Sequence, residues 1–328
     1  ETEFGERWKF VLAGRYDTHD NYESQFSPRV AVVYRIPGYG GLRASYNRAF
    51  QAPEIIQQEL LTQFGLIGGQ IPIILRGNGH GFTMSDGTKI EALSPERNTT
   101  FEVGYKGIIT KDIFLDVNAY WSRYTNFISP LTAITDPTTG VAPVKMGDDD
   151  IAPFPSQFVL TYLNFGRVNM LGLDLGLNVQ LSPRVSAWAN YSFIDPDKFD
   201  FSAEEEGRFQ EIPFNTPKHK GLIGIGVNDL FAKGLYGSVS ARFVDEYDFV
   251  AGSHRATKAG KGTGQFQFKD RGPLGGFTSV DLSFSYPITK SLQINLTATN
   301  ILDSKLRESV GSPEIRRLIL TEIKYSIQ

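Results

Sequence analysis

The sequence predicts an all-β fold, an antiparallel meander of twelve strands laid out as a transmembrane outer-membrane β-barrel. Three observations predict it. Twelve short segments of the 328-residue chain alternate apolar and polar residues, and a period of two is the signature of a strand. Tight turns and longer loops alternate along the chain, which gathers the tight turns at one end of the meander. The chain also carries 33 Gly, 24 Phe and 14 Tyr, a usage that suits turns and an aromatic-rich sheet surface.

The elements follow in order. Segments 8–17 and 27–36 form the first pair, and Pro37-Gly38-Tyr39-Gly40 turns the chain into 41–50. Ile109-Thr110-Lys111-Asp112 joins 99–108 to 113–128, and Leu181-Ser182-Pro183-Arg184 joins 158–180 to 185–194. Residues 230–234 join 218–229 to 235–250, and Ile288-Thr289-Lys290 joins 278–287 to 291–300, before a terminal strand that includes Ile319 to Tyr325. The other connections, 18–26, 51–98, 129–157, 195–217, 251–277 and 304–316, are longer. Short turns on one side and long loops on the other are the layout of an outer-membrane barrel, whereas Greek-key sandwiches have no reason to alternate this way.

The apolar rows agree. Leu171, Leu173, Leu175, Leu177 and Val179 share one face, opposite Gly172, Asp174, Gly176, Asn178 and Gln180. Ile113, Leu115, Val117, Ala119 and Trp121 form a second such row. Trp8, Tyr16, Tyr34, Tyr105, Trp121, Tyr191, Tyr286 and Tyr325 fall near row ends, where amphipathic rings form girdles at the headgroup level. Cross-strand pairing in a soluble sheet is the other reading of those rings.

Composition narrows the function classes. Without Cys there is no disulfide framework, thiolate metal site or thiol nucleophile. A net charge of −3 argues against nucleic acid as a partner. No run approaches the roughly 18 apolar residues of a membrane helix, but barrel strands need only about 9 to 11 alternating residues. Of the four histidines, His19, His80, His219 and His254, none has helical metal-site spacing or a Ser-His-Asp motif. His219 with Ser238 or Ser240 comes nearest to a hydrolytic set, and the chain reads as a non-enzyme with no cofactor and no resident metal.

Several motifs carry a family resemblance. Arg48-Ala49-Phe50-Gln51-Ala52-Pro53 resembles the strand end that precedes a long outer loop in TonB-dependent outer-membrane receptors. Leu93-Ser94-Pro95-Glu96, then Phe101-Glu102-Val103-Gly104-Tyr105-Lys106-Gly107, resembles that family's next strand. Asn164-Phe165-Gly166-Arg167 leading to Gly172-Leu173-Asp174-Leu175 is similar to its glycine-then-acidic strand, and Asn215-Thr216-Pro217-Lys218-His219-Lys220 to its re-entry after a loop. Asn300-Ile301-Leu302-Asp303, with Gly311-Ser312-Pro313 and Arg317, looks like the element before its last strand.

The resemblance implies a barrel of 22 strands closed by an N-terminal plug. Residues 1–328 then form the C-terminal portion of that one barrel domain, its last twelve strands, with plug, Ton box and first ten strands lying outside the chain. A whole of roughly 700 to 800 residues is expected at about 27 residues per strand plus the plug. Starting at Glu1 without an initiator Met or signal peptide, the chain reads as mature or truncated. Its end, Tyr325-Ser326-Ile327-Gln328, departs from the family's terminal aromatic residue.

The implied function is energised import of a scarce ligand, by default a ferric siderophore, with TonB as partner through the N-terminal part. Outer-membrane lipid and lipopolysaccharide are its surroundings, the barrel is expected to be monomeric, and a lipoprotein or a surface partner is a further candidate. Ligand contacts are expected from long loops and strand tops: Arg76 and His80 in the glycine-rich 54–95 loop, Tyr124 and Phe127 beside the next loop, and His254, Arg255 and Lys258 in 251–277. Gly68-Gly69 and Arg76-Gly77-Asn78-Gly79-His80-Gly81 suit a closing lid. Lys261, Lys269 and Arg271 extend the basic loop toward anionic chelates or lipopolysaccharide phosphates. Tyr120, Phe154, Phe158 and Tyr162 suit stacking on catechols or sugars, with packing between loops the leading alternative. The acidic runs 148–150 and 204–206 lack the spacing of a calcium loop.

Two competitors remain at this level. A self-closed twelve-strand passive channel or translocator barrel needs no plug, and a soluble carbohydrate-binding β protein needs no detergent.

Overall fold

The computed structural model describes residues 1–196, 214–251, 254–258, 272–310 and 312–326, with only the backbone of Pro196, Ala251, His254 and Arg255. Residues 204–206, 261, 269–271, 311, 327 and 328, on which several sequence expectations fall, lie outside the described residues. The chain opens with β1 (Thr2–Phe4), β2 (Trp8–His19), β3 (Tyr22–Ile36) and β4 (Gly40–Gln51). A long excursion follows: α1 (Ile55–Glu59), β5 (Leu61–Ile67), β6 (Ile71–Arg76), β7 (Phe82–Met84) and β8 (Lys89–Ile90). Strands β9 (Glu96–Thr110) and β10 (Ile113–Ile128) lead to a second excursion, β11 (Thr132–Ala133), β12 (Pro143–Met146), β13 (Asp149–Asp150) and β14 (Phe158–Thr161). Then come β15 (Asn164–Ser182), β16 (Val185–Pro196), β17 (His219–Val227) and β18 (Tyr236–Val244). The small hairpin β19 (Phe249–Ala251) and β20 (His254–Ala256) precedes β21 (Phe277–Pro287), β22 (Leu292–Thr299) and β23 (Leu318–Tyr325).

Thirteen strands make one antiparallel sheet in the order β1-β2-β3-β4-β9-β10-β15-β16-β17-β18-β21-β22-β23. The twelve strands expected from the alternation are all present, and the short β1, unforeseen, pairs with β2. Register follows from hydrophobic pattern, since a slip of one residue would turn each side chain to the other face. The two apolar rows singled out in the sequence meet as direct partners: Ile113, Leu115, Val117, Ala119 and Trp121 pair with Val179, Leu177, Leu175, Leu173 and Leu171. That face is open, with Phe101, Leu171 and Ile223 among its exposed large apolar residues. On the other face lie Arg43, Glu102, Lys106, Asp116, Asn118 and Asp174. Glycine on this face makes room for rings: a Cβ on Gly172 would stand 2.0 Å from the Tyr120 ring, and on Gly224 2.4 Å from Trp188.

Several boundaries differ from the expectation. The 18–26 connection is a tight turn at Asp20-Asn21, where the Asn21 N–H donates to His19 Nδ1 at 3.1 Å and the His19 and Tyr22 rings stack at 4.7 Å. The alternation of short and long connections is therefore not strict. The 158–180 strand begins at Asn164, because 158–161 leaves to pair in parallel with β6. The strands expected at 218–229 and 235–250 end sooner, at Val227 and Val244.

The two excursions fold on each other. They share two four-stranded sheets, β11-β14-β6-β5 and β13-β12-β7-β8, around a core of Phe82, Met84, Ile134, Val159, Leu163 and Phe165. Among the described residues the buried apolar core cluster therefore sits in the loop assembly, because the main sheet has only one layer.

Candidate functional site

The loop assembly is held by side chains that answer backbone groups, the requirement on any buried connection. Fully buried Asn78 donates to the carbonyls of Glu91 at 3.0 Å and Tyr162 at 3.1 Å, and its Oδ1 accepts from the Gly81 N–H at 3.1 Å. Asn164 clamps the base: its Oδ1 accepts from the Ser94 N–H at 2.7 Å, and its Nδ2 donates to Ser94 O at 2.9 Å and Asn126 O at 2.8 Å. Glu96 accepts the Ile128 N–H at 2.7 Å, tying β9 to the end of β10. These anchors were not singled out as functional in the sequence, although Asn78, Asn164 and Glu96 each sit inside one of its motifs.

The structure divides the expected ligand residues into two groups. Arg76, His80, Tyr124 and Phe127 belong to the loop assembly and the strand top beneath it. Arg76 closes β6, its carbonyl accepting the Thr161 hydroxyl at 2.7 Å. Its Nε is buried without a hydrogen-bond partner, and burial pulls its guanidinium pKa downward. His80 is exposed, its Nε2 3.8 Å from Glu59. Gly77 and Gly79 let this turn press on the helix: a Cβ on Gly77 would stand 2.2 Å from the Gln58 backbone. The glycine-rich run is thus a packed turn against α1, and Gly68-Gly69, both at positive φ, closes the β5–β6 hairpin.

Tyr124 stacks on Phe127 with centroids 5.7 Å apart, and Phe127 continues to Phe165 at 5.8 Å. Phe127 also packs on the loop core, so its ring serves the assembly. His254, Arg255 and Lys258 lie elsewhere, on and just after β20. Lys258 pairs with Glu246 at 2.8 Å, which pushes its pKa up, and its N–H donates to Asp248 at 2.9 Å. Of the acidic run at 148–150, Asp149 and Asp150 form edge strand β13, with Lys145 3.5 Å from Asp150.

Below the loops the polar face is a ladder of charges. Lys106 meets Asp116 at 2.8 Å, and Arg43 Nε stands 3.3 Å from Glu102. That second contact is an ion pair by distance but misaligned as a hydrogen bond, leaving Arg43 Nε and neighbouring Asn118 Oδ1 buried and unsatisfied. Such a wall offers hydrogen bonds to a polar occupant. No hydrolytic set forms at His219, whose Nδ1 lies 2.6 Å from the Tyr191 hydroxyl. The register puts His219 on the apolar face and Ser238 and Ser240 on the polar one.

A single antiparallel layer, apolar on one side and ionic on the other with its long excursions at one end, has the make-up of a membrane β-barrel wall. The family model for the TonB-dependent receptor-like β-barrel matches residues 1–301, and the chain belongs to that family. Among solved structures it is similar to the siderophore receptor PirA from Acinetobacter baumannii, at 15% identity and TM-score 0.65, covering 98% of this chain and 44% of that one. It is also similar to a variant of the ferric enterobactin receptor PfeA from Pseudomonas aeruginosa in complex with enterobactin (15% identity, TM-score 0.63, 98% and 43% covered). The copper transporter OprC gives 14% identity and TM-score 0.56, with 93% and 40% covered. The chain spans less than half the length of these structures. No curated protein matches it in sequence.

Proposed function

We propose that this chain is the C-terminal part of an outer-membrane importer, driven by TonB, that captures a ferric siderophore in its extracellular loops. The observation that carries the reading is the family match over residues 1–301 on a sheet that carries a folded loop assembly at one end. Among the described residues β23 pairs only with β22, and nothing closes the sheet onto β1 or β2. Unpaired N–H and C=O groups are not tolerated in hydrocarbon, which favours completion by further strands over a self-closed twelve-strand channel.

Arg76, His80 and Tyr124 are the residues we assign to ligand contact in the first group, with Phe127 holding Tyr124 in place. His254, Arg255 and Lys258 form a second, basic group. An anionic chelate would gain charge-assisted bonds from Arg76 and Lys258. A copper chelate is the alternative cargo that the likeness to OprC suggests.

The test is uptake of radiolabelled ferric and cupric chelates by cells that carry the full-length protein as their sole receptor. Import of a ferric siderophore that stops when TonB is deleted is the expected result. Import that persists without TonB would sink the energised reading, and selective copper uptake would replace the cargo. Arg76→Ala is expected to weaken binding about tenfold, roughly 1.4 kcal/mol.

A further inference from the structure

The apolar face of β4, β9 and β10 carries two features that the import reading does not use. The first is a shallow groove of about 630 Å³ open to the outside of the sheet. Its floor is the row Val32, Ala44, Val103 and Ala119, where two alanines stand among larger side chains and leave a trough. Tyr46, Phe101 and Trp121, direct neighbours one row toward the loops, form its upper lip, with Tyr46 and Phe101 centroids 4.9 Å apart and Phe101 and Trp121 5.9 Å apart.

The second feature is the next row up. Arg48 pairs with Thr99, Thr99 with Arg123, and Arg123 with Asn169. By strand parity all four lie on the same face as the aromatic lip. Arg123 is exposed and Arg48 half-buried, and among the described residues neither side chain makes an ion pair or hydrogen bond, in contrast with Arg35 and Arg43, which meet Glu3 and Glu102. Two unpaired arginines on the lipid side of a barrel are costly unless something anionic meets them. Their strands are two ladder steps apart, about 10 Å, a gap that two extended guanidinium side chains bridge toward one phosphate. Both sit at the loop end, the side of the outer leaflet.

We infer that this face holds a phosphorylated glycolipid of the outer leaflet, of the lipopolysaccharide class, with an acyl chain along the alanine-floored groove and a phosphate on Arg48 and Arg123. Thr99 and Asn169 supply the flanking hydroxyl and amide. Guanidinium is suited to phosphate because its fork donates two parallel bonds, and the aromatic lip marks the depth at which the headgroup begins. The inference rests on the reading of the chain as a membrane barrel.

The experiment is native mass spectrometry of the full-length protein in detergent, titrated with bisphosphorylated lipid A, its dephosphorylated form and phosphatidylglycerol. Bisphosphorylated lipid A should bind best, and the Arg48→Gln/Arg123→Gln double variant should lose at least tenfold in affinity. Ala119→Trp, which fills the groove and keeps both charges, should lose affinity as well. Equal binding of lipid A by wild type and double variant, or equal binding of phosphatidylglycerol by wild type, would overturn the inference. Failure of the protein to enter detergent micelles at all would instead overturn the membrane reading, so the two failures are distinguishable.

Discussion

At the scale of single residues, the glycines of the polar face show how one missing side chain positions another. Tyr120 lies over Gly172, its direct partner on the next strand, with a Cβ there only 2.0 Å from the ring. Gly172→Ala should therefore displace Tyr120 and destabilise the barrel by about 1–3 kcal/mol, the usual penalty of overpacking. Thermal unfolding in detergent would read it, and Gly172→Ala/Tyr120→Ala should cost less than the sum of the two single changes, because the clash is gone. Asn78 makes the complementary case. Asn78→Ala takes the partners from two carbonyls and one N–H in a buried turn, at about 1–3 kcal/mol. Limited proteolysis should then cut within 51–98 while the main sheet stays intact. Asn78 was visible in the sequence only as a member of a glycine-rich run, since its carbonyl partner at Tyr162 is 84 positions away.

At the scale of elements, the connection from β22 to β23 is tied down by one carboxylate. Asp303 accepts from Arg316 Nε at 3.1 Å, Arg316 Nη2 at 2.7 Å and the Arg317 N–H at 3.0 Å. The Arg316 side chain, and then the Arg317 N–H, hold its carboxyl well below the usual carboxylate range. A folded-state pKa below the unfolded one, about 3.9, means the contribution is present at neutral pH and is lost as pH falls from there through the folded value. Hydrogen exchange of residues 301–317 should accelerate in that acid window in wild type. In Asp303→Asn exchange should be fast already at neutral pH and show little further response. The sequence marked this element through Asn300 to Asp303, but the pairing with Arg316 spans 13 positions and appears only once the loop is folded. The excursions 51–95 and 129–163 were legible only as long loops, because the pairings that join them, β14 with β6 and β12 with β7, link strands far apart in sequence.

At the scale of the whole molecule, the two faces of the sheet make opposite predictions for one charged substitution. Leu173→Arg, in the middle of β15 on the apolar face, should cost about 2–4 kcal/mol in a bilayer. Asn178→Arg, on the polar face of the same strand, should be tolerated. Folding into liposomes, followed by heat-modifiable gel migration, would separate them, and equal tolerance of both would mean that the apolar face does not meet lipid. What the sequence by itself determined was the strands of the main sheet other than β1, the face each residue takes and every tight turn of that sheet it named, though not the one at Asp20-Asn21, because a period of two and turn chemistry are local properties of the chain. Only the tertiary structure decided that the two longest loops are one folded assembly, that Phe127 belongs to its packing, that His219 lies on the opposite face from Ser238 and Ser240, and that Arg48 and Arg123 share a row with an apolar groove beneath. Each of those depends on register between strands far apart in sequence, and register is set by the packing and pairing of the whole sheet.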